Sequence, residues 1–145
     1  MIGAMAAKDN VKLGMESLNR RDVSMFMMGW ADDAVWIYPG DSWMSGRFEG
    51  KKAIREWFDN LMRQFPKVKY TVNSVSVSNI FDFVGNNVAS AHCDVEFTNK
   101  DGYHMKSSGV VMLTIKGGKV IEGKNYLFAV DEYVKSGWGT SKPIE

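Results

Sequence analysis

The chain is poor in the residues that carry reactive chemistry: one cysteine, two histidines and three prolines in 145 residues. The lone Cys93 excludes an internal disulfide and fits a reducing compartment. His92 and His104 stand far apart with no cluster of Cys or Glu around them, so they make no metal motif. No metal and no cofactor is expected. Neither sign of charge dominates, with 18 basic against 17 acidic residues and a net charge of +1. That removes the electrostatic footprint of a nucleic-acid binder. No apolar run reaches the roughly 18 residues of a membrane helix. The opening MIGAMAAKDN lacks the basic start and apolar core of a signal peptide. The expectation is a cytoplasmic protein with neither nucleic acid nor membrane as a partner.

What the chain has is apolar bulk. Hydrophobic residues make up 45% and charged ones 24%, with ten Met and five Trp, enough to bury the core of one globular domain. The densest stretch runs from Gly29 to Pro66. It reads as a strand (Val35 to Tyr38), a Gly-punctuated loop, and a helix in which Ile54, Trp57, Phe58, Leu61, Met62 and Phe65 form one apolar stripe. Gly50 opens that helix and Pro66 closes it. Upstream, Ala7, Val11, Met15 and Leu18 share the face of a helix from about Lys8 to Arg20. Asp22 caps a second, carrying Val23, Phe26, Met27 and Trp30. Downstream the period changes to two. Strands are predicted over Lys69 to Phe83, Val88 to Thr98, Tyr103 to Ile115 and Val120 to Ala129, joined by Asn- and Gly-rich hairpin turns. Gly117-Gly118 is one of these turns and not a phosphate loop, because no helix follows it. Gly109 and Gly123 are candidate bend or bulge points. Residues 1–130 read as one domain and 131–145 as an irregular tail, whose Tyr133 and Trp138 fold back over the cavity or onto a partner.

Alternation decides which side chains face inward. Ala89, Ala91, Cys93, Val95 and Phe97 form one face of their strand; His92, Asp94 and Glu96 form the other. In the last strand Gly123, Asn125 and Leu127 oppose Glu122, Lys124 and Tyr126, which puts the Asn125 amide inside. A buried amide without a partner costs about 1–3 kcal/mol, so Asn125 either binds a ligand or pairs with an inward polar group, Tyr38 being the natural one. Asp41, in the loop after the first strand, is the remaining acid near the mouth and forms an acid/base pair with Tyr38 if that loop folds inward.

The pattern W-A-D-D-A (Trp30 to Ala34), a short strand, a loop and then G-x-x-A-I-R-E-W-F (Gly50 to Phe58) resembles the NTF2-like superfamily, and within it SnoaL-like proteins and steroid Δ5-isomerases. The resemblance implies an α+β fold: a cone-shaped, curved antiparallel sheet, an α+β barrel of the cystatin-like kind, wrapped around a long helix, with two further N-terminal helices. The scaffold hosts isomerases, dehydratases, cyclases, epoxide hydrolases and non-catalytic adaptors, so it fixes fold and not function. The isomerase carboxylate position holds Tyr38-Pro39, its protonated acid falls on Val111, and its helix tyrosine falls on Gly14 or Met15. The dehydratase Asp position is Asn19, and the cyclase Asp position is Asn125 or Phe128. His92-x-Asp94 with Asn125 matches the spacing of a limonene-type epoxide hydrolase, with His for Arg and Asn for Asp.

The functional expectation is a protein that handles a small apolar molecule in the cone. Its walls are Trp30, Trp36, Trp57, Phe58, Met62, Val111 and Leu127, and Tyr38 and Asn125 orient the ligand. If catalytic, it acts by proton transfer as an isomerase, lyase or hydrolase; Ser42 and Ser45 have no evident base, and Cys93 has no cationic neighbour. The alternative is a non-catalytic binding or dimerising module. A homodimer is expected through the outer sheet face, where Val110, Met112 and Tyr126 are too apolar for water alone.

Overall fold

The computed structural model describes residues 2–139, the side chains of Ile2 and Tyr133 excepted. The expectations for the Tyr133 side chain and for residues 140–145 lie outside that range. In chain order the elements are α1 (Ile2–Asn19), α2 (Val23–Met27), β1 (Trp30–Tyr38), β2 (Gly46–Glu49), α3 (Lys51–Gln64), β3 (Lys67–Val77), β4 (Asn87–Thr98), β5 (His104–Lys116) and β6 (Lys119–Leu127). A π-helical turn (Asp131–Lys135) and one turn of helix, α4 (Ser136–Trp138), follow. The six strands form one curved, open sheet in the order β2-β1-β6-β5-β4-β3. The α+β cone expected from the sequence is what the chain forms.

Local chemistry sets the helix boundaries. The Asp22 side chain accepts from Met25 N at 2.9 Å and starts α2. Gly50, at φ 88°, turns the chain from β2 into α3 while its N–H donates to Ala34 O at 2.8 Å. The long stripe of α3 is buried as its spacing predicts: Ile54, Trp57, Phe58 and Leu61 lie against the sheet. Arg21 then locks the helical layer together. Its guanidinium donates to the carbonyls of Phe65 (3.0 Å), Pro66 (3.1 Å) and Met62, satisfying the end of α3 from the turn between α1 and α2.

Several boundaries differ from the sequence reading, each for a physical reason. α2 stops at Met27, and Trp30 belongs to β1, because Val120 N donates to Gly29 O and draws the chain into the sheet at that point. The loop after β1 contains β2, a short edge strand pairing Trp36 with Phe48. β3 ends at Val77, and residues 78–86 form a loop built on Asp82. β1 runs parallel to β6 (Trp36 opposite Gly123), the one parallel pair among the described strands. Gly109 and Gly123 are not register shifts. Those fall between Trp30 and Val35, between Val72 and Ser74, and between Thr114 and Ile115. At Gly123 the absent side chain is filled from above: a Cβ there would lie 2.6 Å from Trp30 Cη2 and 2.9 Å from Trp36 Cε3. The 131–138 segment is helical and not irregular, and its Val134 and Trp138 belong to the main core.

Candidate functional site

An aromatic block forms the centre of the cone. Trp36 on β1 meets Trp57 on α3 with ring centroids 5.4 Å apart, Phe26 meets Phe58 edge-on at 4.5 Å, and Tyr38 meets Trp57 at 4.7 Å. Such tilted and edge-on contacts are the favoured arrangements of quadrupolar rings. Trp36 Nε1 is the one buried side-chain polar atom without a hydrogen-bond partner among the described residues. It lies inside this block, edge to face with Trp30 and Trp57.

On the helical side of the block a cavity of about 550 Å³ opens, within the range of small-molecule sites. Its roof is the inner face of α1 and α2, including Val11, Gly14, Met15, Leu18 and Phe26. Its floor is Trp30, Trp36, Trp57, Phe58, Val111, Leu113 and Ile115. Tyr70 and Asn125 stand at its inner end. Beyond them a second chamber of about 20 Å³ is lined by Tyr38, Cys93, Val95, Phe97, Gly109 and Leu127, together with Tyr70, Asn125, Trp57 and Val111. A space of that size holds about one water molecule when polar groups surround it.

The polar groups divide sharply. Tyr38 Oη accepts from Trp138 Nε1 at 3.1 Å, and burial raises its phenol well above the ordinary value. Trp138 is itself fixed, because Trp43 Nε1 donates to its carbonyl at 2.8 Å and Gln64 Nε2 to that of Gly137 at 2.8 Å. The tail therefore plugs the narrow end of the cone beside Tyr38. Tyr70 Oη and the Asn125 amide, by contrast, have no protein hydrogen-bond partner among the described residues, and both open onto the cavity. Burial raises the Tyr70 phenol strongly, with Tyr38 and Cys93 adding to it, so it stays protonated. The position of Tyr70 is set by its backbone: Asn19 Nδ2 donates to Tyr70 O (2.8 Å), and Tyr70 N donates to Asn19 Oδ1 (2.7 Å). That exchange ties the end of α1 to the sheet edge, and it is the work Asn19 does. Among the described residues, the lining of the large cavity holds no carboxylate, imidazole or thiol.

The residues singled out from sequence are thus distributed as follows. Trp30, Trp36, Trp57, Phe58, Val111 and Asn125 line the large cavity; Tyr38 and Leu127 line only the small chamber. Tyr38 and Asn125 share that chamber, yet the phenol's partner is Trp138 and not the amide. Met62 lines neither chamber and packs half-buried on the outside of the core. His92 and Asp94 project from the outer sheet face, exposed, as the alternation of β4 dictates. Asp41 is exposed in its loop, and Ser42 and Ser45 bond to each other at 2.9 Å. Tyr70 is a site residue that the sequence expectation lacks. Its signal was present in the alternation Val68, Tyr70, Val72, whose phase breaks at Asn73-Ser74 where the strand bulges.

The SnoaL-like domain model matches residues 11–123. The chain belongs to the SnoaL-like domain family. No curated protein matches it significantly. Among solved structures, this SnoaL-like chain is similar to an NTF2-like protein of unknown function from Burkholderia pseudomallei, at 13% identity, covering 92% of this chain and 97% of that one with a TM-score of 0.77. It is similar to a candidate isomerase from Bacillus subtilis at 20% identity, with 96% and 94% coverage and a TM-score of 0.74. TerC, co-crystallised with polyporic acid, matches at 16% identity, with 87% and 94% coverage and a TM-score of 0.70. Likeness at these identities is likeness of fold. The matched region includes Tyr70 and Val111 and stops at Gly123, two residues short of Asn125.

Proposed function

We propose that this protein binds a small, mainly apolar molecule bearing a carbonyl or hydroxyl group, held by the aromatic walls and hydrogen-bonded by Tyr70 and Asn125. The observation that carries this reading is two polar side chains, without protein partners among the described residues, at the inner end of an apolar cavity of about 550 Å³. An unpaired amide or phenol facing an apolar space is costly unless a ligand or water completes it. A tyrosine held protonated donates to an acceptor atom, and the amide of Asn125 both donates and accepts. If a reaction occurs, these donors polarise a carbonyl. Abstraction of a proton from carbon would need a base that the described lining of the large cavity does not supply.

The epoxide-hydrolase alternative loses its support because His92 and Asp94 face outward, leaving Asn125 alone. The filled-core adaptor is disfavoured by the cavity itself. We place pairing with a second copy on the outer sheet face, where Met112 and Tyr126 remain exposed, and the protein in the cytoplasm, consistent with its lone reduced cysteine. The test is thermal shift against steroids, terpenoid epoxides and aromatic polyketides, repeated with Tyr70→Phe. A stabilising compound whose affinity drops about two- to tenfold in that variant supports the reading. No shift with any compound, in a protein whose cavity is confirmed, would sink it.

A further inference from the structure

The mouth of the large cavity has an unusual rim. Four segments frame it: α1 from Gly3 to Leu13, residues 25–29 at the end of α2, the loop of residues 78–86 at its Gly85, and the β5–β6 hairpin tip from Lys116 to Lys119. These segments are fastened to one another. Gly118 N donates to Gly85 O at 3.0 Å, Gly117 N donates to Asn86 Oδ1 at 2.9 Å, and Lys119 Nζ donates to Met28 O at 2.7 Å. Gly3 packs so closely on Asp82 that a Cβ would lie 2.7 Å from its carbonyl oxygen.

The loop is rigidly built and yet turns its apolar side chains outward. Buried Asp82 accepts from Val84, Gly85 and Asn86 N–H at 2.8–3.1 Å, and Asn87 bonds back to Asn79. On that frame Phe81 is 67% and Phe83 75% exposed, with Ile80 and Val84 beside them. Leu13, Met25 and Met28 are exposed across the mouth. Of the twelve large apolar side chains exposed among the described residues, eight, these seven and Met5, belong to the segments that frame one opening. A soluble surface does not gather them there without a partner.

Charge identifies the partner's chemistry. In a chain of net charge +1, the framing segments carry Lys8, Lys12, Lys116 and Lys119 against Asp9 and the buried, fully engaged Asp82. A second copy meeting this face about a two-fold axis would bring two net-positive faces together. An anionic, apolar-cored surface complements both features at once. We propose that the protein docks on an anionic lipid surface with this mouth toward the bilayer, Phe81 and Phe83 entering the acyl region and the lysines resting on the headgroups. The sequence alone points to no membrane partner, because peripheral insertion needs only a few exposed side chains and leaves no hydropathy run. This docking extends the ligand reading, giving an apolar molecule a dry path into the cavity, but it stands on the rim alone.

Cosedimentation with phosphatidylcholine vesicles, with and without phosphatidylserine, tests it. Binding is expected to the phosphatidylserine vesicles and to fall with added salt. Phe81→Ser/Phe83→Ser is expected to weaken it at least about tenfold. Lys12→Ala/Lys116→Ala is expected to weaken it about fivefold per lysine. All four side chains are exposed, so both variants keep the melting temperature, and ligand-induced thermal shifts in vesicle-free buffer stay unchanged. If the phenylalanine variant proves unstable, the lysine variant and the salt series still decide. Absence of vesicle binding overturns the proposal, as does undiminished binding by both variants. Light scattering that shows a dimer broken by the same substitutions overturns it in favour of self-association.

Discussion

Tyr38 and Tyr70 both line the same small chamber, and the difference between them is one hydrogen bond. Tyr38 Oη is engaged by Trp138, so Tyr38→Phe removes a made bond and costs about 1 kcal/mol in chemical denaturation while leaving ligand affinity alone. Tyr70 Oη has no protein partner among the described residues, so Tyr70→Phe leaves the midpoint unchanged and acts only on ligand. Both phenols are raised by burial, so neither becomes a base near neutrality. Burial pushes the Cys93 thiol up to about 11, with Asp94 adding to it. Cys93 is therefore expected to resist a thiol reagent at about pH 8 until the chain is unfolded in denaturant. Fast native labelling would show that the small chamber opens. At this scale Asn125 was legible in the sequence, since charged neighbours on the opposite face left it no other side. Tyr70 was not, because the bulge at Val72/Ser74 breaks the strand's phase and hides which face it shares.

Among the elements, the loop on Asp82 and the helical turn at Trp138 carry the sharpest consequences. Burial alone would raise the Asp82 carboxyl, but the hydrogen bonds from Val84, Asn86, Gly85 and Asn87 outweigh it and hold the group below the usual range. A depressed carboxylate stabilises the fold above its unfolded value and loses that contribution as pH falls. Amide exchange in residues 78–87 is thus expected to accelerate below about pH 4, ahead of the β4–β5 core. At the alkaline end the sign reverses. The raised tyrosines favour the fold below their unfolded value, and stability is lost as pH climbs past about 10. Trp138→Ala should cost about 3–5 kcal/mol, because it empties the ring contacts with Tyr38, Trp57 and Phe65 together. Gly123→Ala should cost about 1–3 kcal/mol and change tryptophan fluorescence, since the added methyl meets Trp30 and Trp36. The helices and the meander were readable from period and punctuation. The tail's helical turns were not, because Gly137, Gly139 and Pro143 argue locally against a fold that Trp138 imposes from a distance.

For the whole molecule, the order β2-β1-β6-β5-β4-β3 leaves two edges and one broad outer face. If that face pairs two copies, Met112→Glu/Tyr126→Glu is expected to yield monomers by light scattering with little change in ligand binding. An unchanged mass would remove the outer face from consideration. The antiparallel run was legible because hairpins announce themselves. The parallel contact between β1 and β6 was not, since nothing local marks two strands separated by most of the chain.

That contact sets the order of assembly. Trp36 waits for Gly123, so until the final strand arrives the tryptophan-bearing ribbon has only the short β2 on one flank and nothing on the other. Closing so long a loop comes late. In refolding, indole emission will report the finishing step and lag behind the circular dichroism of the hairpins, and a chain stalled before β6 will be sticky along that bare flank.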